Sequence, residues 1–274
     1  MLLLFGSLFL PETPRWLIAH SRKEEAKKVL NTIRNKKFEI EHEIHFIQQG
    51  LTKNHVTFKL LFSTKFIFPC FLAISIAIFN QLTGINSFLQ YAPIILKQAG
   101  IDSNFISMIG SVGIGALNFL FTIIAIALID SIGRRPLLLT GVLGVVISEL
   151  YLGAINLFIP NSHSVGVLSL IGLLLFIMFF AIGPGVVVWL AISELFPTQV
   201  RGKGISVCLF FNSLVSTLLA TLFLPLQNFM GIGQTYWLFA FFSFGYFLVV
   251  YFFLPETKSR SLEEIQDKLY ERRF

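Results

Sequence analysis

The chain has 274 residues, 55% of them hydrophobic and only 13% charged, with 31 Phe and a formal net charge of +6. That balance excludes an ordinary soluble domain. At about 20 residues per spanning helix, it leaves room for six membrane helices plus cytoplasmic segments.

Residues 2–10 are apolar but too short to cross a bilayer at about 1.5 Å per residue. With no basic start and no small-residue cleavage site, they read as the last turns of a spanning helix rather than a signal peptide. Residues 11–65 are polar and basic. Within them Ala26, Val29, Leu30 and Ile33 share one helical face, and Ile40, Ile44, Ile47 and Leu51 repeat the pattern. Short amphipathic cytoplasmic helices are expected there. Six spans follow: 66–97, broken in its middle; 105–129; 137–159; 165–195, interrupted at Gly183, Pro184 and Gly185; 205–226; and 235–254. The expected domains are therefore the end of a spanning helix (1–10), a cytoplasmic helical segment (11–65), a six-helix bundle (66–254) and a cytoplasmic tail (255–274). Of the 21 Lys and Arg, 20 fall in residues 1–65, 130–136, 196–204 and the tail, and only Lys97 falls on the other side. The excess of basic residues places those four segments, and the C-terminus, in the cytoplasm.

The first span carries Asn80, Gln81, Asn86 and Gln90 around Gly84. Amides in hydrocarbon are costly without partners or a wet cavity. Gln81 lies about 15 residues from the start of its span, near the middle of a ~30 Å core. Asn118 has similar depth, and Asn212 is nearer the cytoplasmic end of its own span. Two readings stand: hydrogen bonds that join helices, or the wall of a site for an uncharged, polyhydroxylated solute, which needs both donors and acceptors. On an unbroken helix Gln81 and Asn86 point about 140° apart; a break near Gly84 turns both inward. Gly183 and Pro184 weaken a helix and suit a hinge for alternating access. Trp189 suits either stacking on a sugar face or anchoring at the membrane interface.

Charges gather at cytoplasmic helix ends: Asp130 with Arg134 and Arg135, Glu194 with Arg201, Glu12 with Arg15, and Glu256 with Lys258. Such pairs can lock one conformation and break in another; solvated topology markers are the plain alternative. Glu149 is the one carboxylate well inside a span, a candidate for a proton relay, for a pairing with an amide, or for a carboxyl that sits protonated. The glycines from Gly110 to Gly115 suit close helix packing rather than a nucleotide loop. No nucleophile–base set and no metal-ligand spacing is present, so no enzyme, cofactor or nucleic-acid partner is expected.

In order and spacing these motifs resemble the sugar porter family of the major facilitator superfamily. The residues that carry the resemblance are Pro11 to Arg15; Gln81 to Asn86; Asp130 with Gly133, Arg134 and Arg135; Gly183 and Pro184 through Trp189; Ser193 to Pro197 with Arg201 and Gly202; and Pro255 to Lys258. The resemblance implies an all-α membrane protein: the six-helix carboxy-terminal half of a major facilitator fold, plus cytoplasmic amphipathic helices. It implies that Gln81, Asn86, Asn118, Trp189 and Asn212 touch sugar, with Asn80 in place of the first Gln of the usual pair. It implies that Tyr91 helps close an outer gate. It places Asp130, Arg134, Glu194 and Arg201 in a cytoplasmic salt-bridge network. Gln90, Ala181, Val186, Val188 and Ser259 depart from the family pattern. The implied partners are a monosaccharide, the lipid bilayer, a proton in bacterial relatives, and a separate amino-terminal half, without which no sugar is expected to be carried. The alternatives are a non-transporting half and a permease for another neutral polyol.

Overall fold

Helix is the only regular structure among the described residues, as backbone in hydrocarbon requires when each N–H and C=O must be satisfied within its own segment. The computed structural model describes residues 12–33, 40, 41, 44, 61, 63, 66–98, 104–159, 163–196 and 200–258. The expectations for residues 1–10, for Ile47 and Leu51, and for the tail beyond Lys258 lie outside them. The chain divides into two units, Met1–Thr57 and Phe58–Phe274.

In the first unit, α1 (Pro14–Ala19) starts where Thr13 Oγ1 accepts the Trp16 N–H at 3.3 Å, with Pro14 at the first helical position. α2 (Lys23–Ile33) carries Glu24 and Glu25 in its first turn, where acidic groups complement the helix dipole. Arg22 pairs with Glu25 at 2.7 Å and holds that carboxyl below its ordinary range. Leu17, Ile18, Ala26, Leu30, Ile40 and Ile44 close into one small apolar cluster. Four of these, Ala26, Leu30, Ile40 and Ile44, lie on the expected faces.

The second unit holds α3 (Ile67–Leu82), α4 (Ile85–Gln98), α5 (Asn104–Ile132), α6 (Arg134–Phe158), α7 (His163–Phe180), a π turn (Ala181–Gly185), α8 (Val186–Leu195), α9 (Arg201–Met230) and α10 (Ile232–Phe253). Among the described residues, six stretches are long and apolar enough to cross a membrane: Ile67–Ala92, Val112–Ile132, Arg134–Phe158, Val165–Leu195, Arg201–Met230 and Ile232–Phe253. α10 packs most extensively on α6, α9 packs on α3, and α7 lies beside α6. The phenylalanines build the centre. Phe88 is fully buried and meets Phe176, Phe223 and Phe239 edge-on at centroid distances of 5.0, 5.8 and 5.2 Å, the geometry aromatic quadrupoles favour. α5 and α9 leave large apolar side chains exposed, among them Phe119, Ile126, Phe210 and Leu218.

The interruption at 183–185 is milder than expected. The span continues through the π turn, whose wider coil accommodates Pro184 without severing the helix. There α6 and the π turn approach backbone to backbone: a Cβ on Gly183 would lie 2.7 Å from Gly141 Cα.

Candidate functional site

The break in the first span is real and local. α3 ends at Leu82, and Gly84 takes φ +75°, a conformation in which a side chain is strained. A Cβ there would also press on the Phe239 ring at 3.0 Å. The chain restarts as α4, with Phe88 N–H bonded to Gly84 O at 2.9 Å.

This turn brings Gln81 and Asn86 together. Asn86 Nδ2 donates to Gln81 Oε1 at 2.8 Å and to Ser216 Oγ at 2.9 Å. Gln81 Nε2 donates to Asn212 Oδ1 at 3.2 Å, and Asn212 Nδ2 donates to Ala77 O at 2.9 Å. Gln81 and Asn212 are buried, while Asn86 is exposed. The result is a continuous amide–hydroxyl chain from α3 across the break to α9. One end is dry and the other open. Ser216 was not anticipated, yet it lies one turn beyond Asn212 on the same face of α9. A turn further on, Tyr91 OH donates to Ala220 O at 3.1 Å and its ring stacks on Phe223 at 5.0 Å. Tyr91 thus ties α4 to α9 at one end of the amide chain.

Other anticipated residues stand apart. Asn80 is buried on the adjoining face, its Oδ1 without a hydrogen bond. Asn118 on α5 and Trp189 on α8 are half-buried and make no hydrogen bond to the amides.

At the loop between α5 and α6, Arg134 Nη1 donates to Asp130 Oδ1 at 3.1 Å, and Arg134 Nε lies 3.4 Å from Glu194 Oε1. Glu194 therefore pairs with Arg134 instead of Arg201, whose Nε donates to the Phe196 carbonyl at 3.3 Å. Glu256 also differs from expectation. Its carboxylate accepts the N–H groups of Arg134 and Arg135, both at 3.1 Å, and of Thr257 and Lys258 at 2.9 and 2.8 Å. It caps the positive end of α6. Lys258 Nζ donates to Ser131 O instead. Arg135 Nη2 donates to Tyr251 O at 2.6 Å. Glu12 is exposed, and the Arg15 side chain lies outside the described residues.

A family model for the sugar (and other) transporters matches residues 1–269. The chain belongs to this family. Its members are transporters, not enzymes, and the sugar porters among them have the major facilitator fold. The Bacillus subtilis protein YwtG is 40% identical over 271 residues, covering 98% of this chain and 58% of YwtG. The glucose transporter GlcP of Staphylococcus epidermidis is 36% identical, covering 99% of this chain and 60% of GlcP. The structure of the proton:xylose symporter XylE bound to 6-bromo-6-deoxy-D-glucose superposes with a TM-score of 0.79 at 29% identity, covering 97% of this chain and 56% of XylE. The chain thus spans somewhat under two thirds of the length of each of these three proteins. With this family membership and its membrane-capable helices, it is a multi-pass membrane protein.

Proposed function

We propose that the amide chain of Gln81, Asn86 and Asn212 is part of the solute site of a transporter that carries a monosaccharide across the membrane by alternating access. The observation that carries this reading is the hydrogen-bonded set spanning the α3–α4 break and α9. It presents donors and acceptors, and no charge, and Gln81 lies near the middle of the span Ile67–Ala92. A neutral polyol exchanges its hydroxyls into such a set with little net change in hydrogen bonding. Asn118 and Trp189 line the same solute path, Trp189 offering a ring face to sugar C–H groups, and Asn80 supports the α3 wall. Tyr91 closes the outer side by its bond to α9. Gly183 and Pro184, at the π turn, are the hinge. The cytoplasmic network of Asp130, Arg134, Arg135, Glu194, Arg201 and Glu256 holds the inner side shut and opens in the other state. The transporter lies in the plasma membrane with residues 11–65 and the C-terminus cytoplasmic, and a proton drives it. Relatives named for glucose, for myo-inositol and for xylose with a proton support the solute class and the coupling.

The test is sugar-dependent quenching of tryptophan fluorescence in the purified chain. The panel holds hexoses, pentoses and myo-inositol. Saturable quenching by one of them is expected, lost in Gln81→Leu and in Trp189→Phe. A folded protein with no response to any of the panel would overturn the reading, as would a response that Gln81→Leu leaves unchanged. A response to myo-inositol alone would turn the assignment to a polyol.

A further inference from the structure

Glu149 sits in α6, remote in sequence from the amide chain, and the site above makes no use of it. Its side chain is fully buried, and neither carboxyl oxygen has a hydrogen-bond partner. Against α6 packs the buried face of α10, which carries Tyr236, Ser243 and Tyr246. The hydroxyls of all three are likewise buried without partners. Tyr236 and Ser243 are two turns apart on one face, within the helix that packs most extensively on α6. Ser148 beside it is already committed, donating to Gly144 O at 2.8 Å.

No cation faces the carboxyl among the described residues. α10 contributes only the tyrosines Tyr236, Tyr246 and Tyr251. α7 has only His163, at its far end, and the π turn has no charged group. α8 contributes Glu194 and α5 contributes Asp130, both at the cytoplasmic end, and α6 itself adds Arg134, Arg135 and Tyr151. An ionised carboxylate so placed has nothing to offset its lost hydration. A neutral carboxyl, in contrast, has one O–H to give and one carbonyl to fill. A serine oxygen can accept the first, and a phenol O–H can donate to the second. The three groups are complementary to a carboxyl that carries a proton.

We propose that Glu149, Ser243 and Tyr236 form an intramembrane proton-binding site between α6 and α10, loaded while the helices pack as they do here and exchanging with water when α10 moves off α6. Loading transfers one proton from hydronium to the carboxylate and leaves water; no electron moves. α10 also packs on α3, where Phe79, next to Asn80, stacks on Tyr246 at 6.3 Å. One helix therefore touches both the proton site and the segment that bears the amides. The inference does not depend on which solute the protein carries.

The test uses the full chain in lipid nanodiscs. The infrared difference between wild type and Glu149→Gln should show the carbonyl stretch of a protonated carboxyl at neutral pH. That stretch should shift on transfer to deuterated water, and Ser243→Ala should move its position. Carboxylate bands in its place would overturn the proposal. So would a protonated band indifferent to deuterium, which would mark a sealed structural hydrogen bond. A second measurement needs no variant. A hydrophobic carbodiimide, which reacts with protonated carboxyls, should label Glu149 in the wild-type protein, with mass spectrometry locating the adduct and its yield falling at alkaline pH. Absence of that adduct in folded protein would also overturn the proposal.

Discussion

Asn212 and Ser216 lie one turn apart on α9 and both bond to the amides of the α3–α4 segment, yet their loss should differ in cost. Asn212 accepts from Gln81 Nε2 in a buried setting. Asn212→Leu leaves that donor without a partner and without water, a loss of about 1–3 kcal/mol. Ser216 receives its bond from Asn86, which is exposed. Water can replace it, so Ser216→Ala should fall within about 0.5 kcal/mol of wild type. Thermal unfolding of the two variants in one detergent checks this; equal losses would mean that Asn86 is as dry as Gln81. The residue types at Gln81, Asn86 and Asn212 were legible as polar groups too costly to leave idle in hydrocarbon. Ser216 was not, because a hydroxyl in a membrane helix can satisfy itself on the carbonyl one turn back, as Thr217 and Thr221 do here.

Elements fail differently from residues, because a helix end involves several backbone groups at once. Gly84 supplies the positive φ that ends α3 and starts α4. Gly84→Ala adds about 1 kcal/mol of backbone strain and a contact with Phe239. It also favours an unbroken helix, on which Gln81 and Asn86 would part by about 140°. A melting temperature lowered by several degrees is expected, together with loss of the sugar response. Gly84→Ala with full stability would show that the break is held by tertiary contacts instead. At the start of α6, Glu256 serves four backbone N–H groups, two of them its own neighbours Thr257 and Lys258. Glu256→Ala should cost about 1–2 kcal/mol, in the range of a lost helix cap, while Glu256→Gln should cost clearly less because an acceptor remains. Unfolding midpoints in the two variants decide between a cap and a charge partner, since only a charge partner would lose equally in both. The sequence pointed to a Glu256–Lys258 pair because it displays charges and hides orphan amides at a helix start about 120 positions away.

At the scale of the molecule, the six spans, their order and the break at Gly84 were all readable, because apolar length and helix-breaking residues act locally. What was not readable was which helices touch. The joining of α6 to α10 and of α3 to α9 depends on side-chain shape, as where Gly153 leaves room for the Trp237 ring. The sidedness of the whole bundle rests on charge. The segments around Arg134 and Arg201 carry Lys and Arg, whereas residues 160–162 carry neither. Basic residues are retained on the cytoplasmic side during insertion, so the proposed orientation puts the two kinds of segment on opposite faces. Single cysteines placed at Ser131 and Lys203 should therefore be labelled by a membrane-impermeant thiol reagent only in inside-out vesicles, and a cysteine at Asn161 only in intact cells. The native Cys70 and Cys208 are buried and should stay silent in both. Labelling of Ser131→Cys from outside the cell would reverse the bundle. It would carry with it the assignment of Tyr91 to the outer gate and of the Arg134–Glu194 pair to the inner one.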